Sequence, residues 1–89
     1  MSMLFYTLFK FFSGGVSVAS FADRLKESRK AKSLTQKKMA ELLGITERGY
    51  QNYEIGKSTP NYETLLALAN YFDVSLDYLT GRSDNPNRI

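Results

Sequence analysis

The sequence contains no cysteine and no histidine among its 89 residues. It therefore lacks the side chains for a disulfide bond, for a thiolate or imidazole metal site, and for a cysteine nucleophile or a serine–histidine–aspartate triad. Carboxylates and lysines remain, but no acidic pair lies in a context that indicates separate acid and base roles. We therefore expect a protein that is not an enzyme and uses no metal and no cofactor. The absence of cysteine also fits a cytoplasmic protein.

The length of the chain allows one small domain once its apolar N-terminal segment is set aside. A Ser-Gly-Gly stretch at residues 13–15 separates that segment from the rest. We therefore divide the chain into an apolar arm at residues 1–19, a folded domain at residues 20–81 and a flexible tail at residues 82–89.

The arm begins MSMLFYTLFKFF, which as a helix is apolar almost all round apart from Thr7 and Lys10. Twelve helical residues reach only about 18 Å, whereas the hydrocarbon core of a membrane is about 30 Å thick. Neither a spanning helix nor a secretion signal fits well. We expect a helical arm that packs on its own domain or on a second copy through aromatic residues such as Phe5 and Phe9. Attachment to a membrane and an extension without function are the alternatives.

Charge is distributed unevenly along the chain, although the net charge is only +3. Residues 24–57 hold nine basic and four acidic side chains, whereas the chain from residue 58 onward holds two basic and four acidic ones. A basic region of this kind is either an ordinary solvated helix surface or a surface that binds phosphate groups. Charge alone does not separate the two interpretations.

Five short helices are predicted after residue 19, and no strand pattern competes with them. Each helix begins after a residue that can cap its first turn, and these residues are Ser20, Thr35, Thr46, Asn61 and Ser75. The apolar residues expected inside are Phe21, Leu25, Met39, Ala40, Leu42, Leu43, Tyr50, Tyr53, Leu65, Leu68, Ala69, Phe72, Leu76 and Leu79. The pattern predicts an all-α domain.

The most informative unit is residues 36–55, where two short helices follow one another across a glycine turn. When two such helices cross at about 90–120°, their closest approach admits only a small side chain and the turn needs a positive φ. Ala40 and Gly44 supply these two features. Tyr50 and Tyr53, one turn apart, would then hold the inner side of the next helix.

The outer side of that next helix is polar and carries Glu47, Arg48, Gln51 and Asn52. Arginine can read guanine, asparagine or glutamine can read adenine, and glutamate can accept from cytosine, all at base edges in the major groove. A surface helix with ordinary polar residues has the same spacing. Spacing therefore leaves open whether this helix reads DNA.

Residues 21–81 resemble a complete DNA-binding domain of the lambda-repressor-like family, also called the XRE or Cro-repressor type of helix-turn-helix. The resemblance rests on three motifs, LTQKKMAELLGIT, YQNYEIGKSTPN and LLALANYFDVSLDYLTG. It implies a five-helix, all-α fold and a sequence-specific transcriptional regulator that binds double-stranded DNA, most simply as a small homodimeric repressor.

The resemblance also implies roles for individual residues. Those expected to contact phosphate or sugar are Gln36, Thr46, Lys57, Ser58 and Thr59. Those expected to face the bases are Glu47, Arg48, Gln51 and Asn52; the alternative for Glu47 is that it rejects wrong sequences or holds Arg48 in position. Arg29 and Glu54 are expected to form a structural salt bridge, whereas Leu76, Tyr78 and Leu79 are expected at a dimer interface that Phe5 and Phe9 could extend.

Two departures from the family pattern lie in the third helix. Gly49 replaces the usual serine or alanine and should cost about 1 kcal/mol relative to alanine. Tyr50 replaces a branched aliphatic residue, so its hydroxyl group must reach solvent or a partner, and the helix could be displaced slightly outward.

A protein-interaction module is the main alternative to a DNA-binding regulator. It would be a domain such as an antitoxin, in which DNA binding is secondary and a protein partner binds through the arm or the tail.

Overall fold

The computed structural model describes residues 20–88, which form five α-helices and contain no strand. The helices are α1 (Phe21–Ala31), α2 (Gln36–Leu43), α3 (Glu47–Glu54), α4 (Tyr62–Phe72) and α5 (Leu76–Leu79). The all-α prediction and its five helices are therefore confirmed. The predicted helical arm at residues 1–19, with Phe5 and Phe9, lies outside the described residues.

Every helix begins at the cap that the sequence indicated. Ser20 accepts from the Asp23 amide at 3.2 Å, and Asp23 accepts from the Ser20 amide at 3.4 Å, which makes a reciprocal capping box. The caps of the other four helices are Thr35, Thr46, Asn61 and Ser75, and each accepts from the amide three residues later. Local sequence therefore fixes where each helix starts.

All five helices contribute residues to the core. Its buried apolar residues are Leu25, Met39, Ala40, Tyr50, Leu68, Ala69, Phe72 and Leu79. Leu42 was expected among them, but it is 47% exposed. The reason is geometric, because α2 buries only the narrow stripe that contains Met39 and Ala40, and Leu42 lies beside that stripe.

The C-terminal segment, residues 82–88, lies against the helices instead of extending from them as the expected flexible tail. The Ser75 amide donates to Pro86 O at 2.9 Å, and Arg88 Nη2 donates to Asn70 Oδ1 at 2.6 Å. The buried Arg24 of α1 also holds this segment. Its guanidinium group donates to the carbonyl oxygens of Tyr78 and Ser83 and to the carboxylate of Asp84, and it lies 3.8 Å above the Tyr78 ring.

No helix within residues 20–88 has the length and apolar character needed to cross a membrane.

Candidate nucleic-acid interface

The turn between α2 and α3 sets the position of α3 on the surface. Gly44 ends α2 with φ 71° and ψ 31°, a left-handed conformation that glycine adopts without strain. The Ile45 amide donates to Ala40 O at 3.0 Å and closes the turn. Ala40 is only 3% exposed, so the small side chain lies at the close approach that the spacing predicted.

Helix α3 is amphipathic, with a buried inner side and an open outer side. Tyr50 and Glu54 are buried on the inner side, and Tyr53 packs against the core with its ring edge-on to Tyr50 at 6.3 Å. On the outer side, Glu47 and Arg48 are exposed, whereas Gln51 and Asn52 are half-buried. The four residues expected to face bases therefore all retain access to solvent.

A buried polar network underlies α3 and is centred on the carboxylate of Glu54. Arg29 of α1 donates to it twice, from Nε to Oε2 at 2.6 Å and from Nη2 to Oε1 at 3.1 Å. The Tyr50 hydroxyl also donates to Oε2, and Gln36 Nε2 donates to Oε1 at 3.1 Å. The structure thus brings Arg29 and Glu54 together in the pair that the family resemblance implied.

The network determines the charge states of its members. Burial alone would raise the pKa of the Glu54 carboxyl, but hydrogen bonds from Arg29, Tyr50 and Gln36 outweigh it and hold that pKa below its usual value. The hydrogen bond to Glu54 raises the pKa of Arg29. Burial, followed by the hydrogen bond to Glu54, raises the pKa of the Tyr50 hydroxyl. Glu54 is therefore a carboxylate and Tyr50 a neutral phenol near neutral pH.

A shallow hollow of about 390 Å³ lies on the outer side of α3. Its lining residues are Gln36, Arg48, Gln51, Asn52, Ile55 and Lys57. It therefore unites the start of α2, the outer side of α3 and the loop that follows. The Gln36 side-chain amide donates one N–H to Glu54, and an amide NH₂ group carries a second donor.

The loop after α3 is tied to the end of that helix. The amides of Lys57 and Ser58 both donate to Asn52 O, at 2.9 and 3.3 Å, and Gly56 has φ 79°. The side chains of Lys57, Ser58 and Thr59 are exposed. At the other end of α3, the Thr46 hydroxyl accepts from the Gly49 amide, so its own O–H remains as a donor.

The nine basic side chains of residues 24–57 fall into two groups, those paired with carboxylates inside the domain and those exposed to solvent. Arg24 is buried and Arg29 is 12% exposed at its side chain, and both are held by carboxylates. The exposed members are Lys26, Lys30, Lys32, Lys37, Lys38, Arg48 and Lys57. Positive charge that an anion can reach is thus concentrated in α1, α2 and α3 and the loop after α3.

The three residues expected at a dimer interface differ in their accessibility. Leu79 is fully buried, so its side chain belongs to the core of its own domain and cannot contact a second copy. This corrects the expectation for Leu79, and the reason is that α5 is a single turn whose Leu79 faces inward. Leu76 and Tyr78 are half-buried and keep part of their surface accessible.

Two residues that stand out in the structure, Arg24 and Ile55, are not among the candidate residues predicted from the sequence. Arg24 counted only as part of the basic region, since its partners Tyr78 and Asp84 are 54 and 60 residues away. Ile55 is the last residue of the unit at residues 36–55; it is 71% exposed and lines the same hollow as Arg48. Continuing the helical spacing of the outer side by one more turn would have found Ile55.

Two short helices joined through a left-handed glycine, with the second displaying a polar side to solvent, define a helix-turn-helix domain. The chain belongs to the helix-turn-helix family of the lambda-repressor-like type, and the family model matches residues 25–79. Its relatives are named as transcriptional regulators, which are not a class of enzymes.

The chain is 49% identical over 65 residues to the HTH-type transcriptional regulator YqaE of Bacillus subtilis, covering 73% of this chain and 56% of the relative. It is 40% identical over 60 residues to the cryptic phage CTXphi transcriptional repressor RstR of Vibrio cholerae, covering 67% of this chain and 54% of the relative. The chain therefore spans little more than half the length of these relatives.

Among solved structures, the P22 c2 repressor in complex with a synthetic operator is similar to this chain. The TM-score is 0.66 at 26% sequence identity, and the match covers 73% of this chain and 98% of that chain.

Proposed function

We propose that the protein is a sequence-specific transcriptional regulator that inserts α3 into the major groove of double-stranded DNA. The observation that carries this proposal is the hollow on the outer side of α3, where Arg48, Gln51 and Asn52 lie between Gln36 and Lys57. Base-reading side chains are thereby flanked by groups suited to phosphate. The names of the relatives and the operator in the P22 c2 structure support the same conclusion.

Within this proposal the residues divide into two sets. Glu47, Arg48, Gln51 and Asn52 read base edges, because they lie on the open side of a helix whose width matches the major groove. Gln36, Thr46, Lys57, Ser58 and Thr59 contact the sugar-phosphate backbone and set the register of α3. The exposed lysines of α1 and α2 add a long-range attraction to DNA that salt weakens.

We further propose that the regulator binds as a homodimer in the cytoplasm and acts as a repressor. A single α3 reads few base pairs, whereas two copies on one duplex double the contacts at a small additional entropic cost. The accessible parts of Leu76 and Tyr78 are available to such an interface, and Phe5 and Phe9 of the arm could extend it.

The test is a selection from random duplexes with the purified full-length protein at a fixed salt concentration. We expect enrichment of one sequence, with two similar half-sites if the protein is a dimer. Arg48→Ala and Asn52→Ala should each abolish or change the enrichment. The control is Asn87→Ala in the C-terminal segment, which should select the same sequence as the unmodified protein. Selection of no sequence by the unmodified protein would contradict the proposal.

A further inference from the structure

The polar outer side of α3 ends in one exposed aliphatic residue, Ile55. It is 71% exposed, more than any other large apolar residue in the described part of the chain. Ile55 belongs neither to the core nor to the apolar residues that pack against the core. The fold of residues 20–88 therefore gives no structural reason for a branched aliphatic side chain at this position.

The position of Ile55 continues the outer side of α3. Its amide donates to Gln51 O at 3.1 Å, so the helical turn extends through Ile55. Ile55 follows Arg48 by seven residues, which is about two turns, and the two side chains line the same hollow. Asn52 and Lys57 line the hollow as well. Ile55 thus lies between a residue expected to read bases and one expected to contact phosphate.

An isoleucine at this place cannot form a hydrogen bond to a base, so the group it recognises must be apolar. The thymine C5-methyl is the apolar group that base edges present in the major groove. We propose that Ile55 contacts a thymine methyl group and thereby specifies thymine at one position of the bound sequence. This inference rests on the proposed function of α3.

The test uses the full-length protein and the duplex enriched by the selection. Each thymine is replaced in turn by deoxyuridine, which removes the methyl group and leaves every hydrogen-bonding group in place. For the unmodified protein we expect the dissociation constant to rise about fourfold at one thymine position. Ile55→Ala should bind the thymine and deoxyuridine duplexes equally at that position. Ile55→Val, which keeps a branched side chain, should retain the difference.

Three results would overturn the role of Ile55: a selected site without thymine, no thymine whose replacement weakens binding, or an unchanged thymine preference in Ile55→Ala. The last of these results means that Ile55→Ala loses the same factor of affinity on the thymine and deoxyuridine duplexes, as a contact of Ile55 with deoxyribose would produce. Thermal unfolding of the variants should match that of the unmodified protein, because Ile55 is not part of the core. If the unmodified protein prefers no sequence at all, the proposed function itself fails, so the two failures are distinguishable.

Discussion

The hydroxyl group of Tyr50 donates a hydrogen bond to the carboxylate of Glu54, one turn further along α3. Tyr50 is fully buried, and the Glu54 side chain is only 1% exposed. The phenol that replaces the family's usual aliphatic residue therefore finds a partner inside the domain. The Tyr50 hydroxyl group forms its hydrogen bond inside the domain and does not need to reach solvent, so the ring can remain in the core.

Tyr50→Phe should lower the free energy of unfolding by about 1.5–3 kcal/mol, because the buried carboxylate loses one charge-assisted hydrogen bond. Urea denaturation at neutral pH measures this change. Tyr53→Phe is the matched control, since Tyr53 is half-buried in the same helix and its hydroxyl has no partner within residues 20–88. If both variants lose a similar free energy of unfolding, the hydrogen bond from Tyr50 to Glu54 does not stabilise the domain.

Low pH should lower the free energy of unfolding of the domain, because Glu54 becomes protonated. Its pKa in the folded protein is below the ordinary value of 4.5, so the unfolded chain takes up the proton first and unfolding is favoured as pH falls. The stabilisation is fully present above about pH 4.5 and is lost as pH falls through the folded pKa. Glu54→Gln should therefore be less stable than the unmodified protein at pH 6, and the difference should shrink below pH 4.5.

Urea denaturation of both proteins across that pH range measures the effect. Ala67→Ser, an exposed substitution on α4 that changes no titratable group, is the control and should give a difference that does not change with pH. A constant difference for Glu54→Gln would contradict the role of its charge.

Gly49→Ala should stabilise the domain by less than the roughly 1 kcal/mol that helix propensity alone gives. A Cβ atom at Gly49 would lie 3.1 Å from Thr46 Oγ1, the hydroxyl oxygen that caps α3. The gain in propensity is therefore partly offset by displacement of the cap. In a Thr46→Ala background the hydroxyl is absent, and Gly49→Ala should then give the full gain. Thermal denaturation of the four proteins measures this coupling, and additive effects would contradict it.

Arg48→Ala and Lys57→Ala should weaken DNA binding in different ways. Arg48→Ala should lose about 1–3 kcal/mol of discrimination at particular base pairs. Lys57→Ala should weaken binding to all sequences alike and reduce the salt slope by about one. Binding titrations on the selected duplex and its single-base variants, at several salt concentrations, separate the two effects. Equally nonspecific losses would contradict base reading by α3.

Arg24→Lys should destabilise the domain by about 1–3 kcal/mol, although it keeps the positive charge. The guanidinium group holds the carbonyl oxygens of Tyr78 and Ser83 and the carboxylate of Asp84 at once, and an ammonium group cannot match that planar geometry. Lys26→Arg on the exposed side of the same helix is the control and should leave stability unchanged. Urea denaturation compares the two variants.

The helices could be predicted from the sequence because their signals are local. Thr46 caps α3 through an amide three residues away, and Gly44 ends α2 within its own turn. Neighbouring residues therefore carry enough information to place both ends. The outer side of α3 follows from the same spacing, although the groups that Arg48 and Asn52 contact on DNA remain predictions.

Features that depend on distant contacts could not be predicted in this way. The partners of Arg24 lie 54 to 60 residues away, so spacing gave no sign that the C-terminal segment would lie against α1. Leu42 and Leu79 are both leucines at helical spacing, yet one is 47% exposed and the other fully buried. Which side of a short helix meets a neighbour depends on how the helices pack, and periodicity alone does not fix it.

The hydrogen bond between Gln36 and Glu54 joins the first residue of α2 to the last residue of α3. This bond adds to the core contacts of the two helices and restrains their relative position. In the proposed association with a duplex, this pair of helices therefore needs little conformational ordering, and less of the interaction energy is lost to ordering the protein.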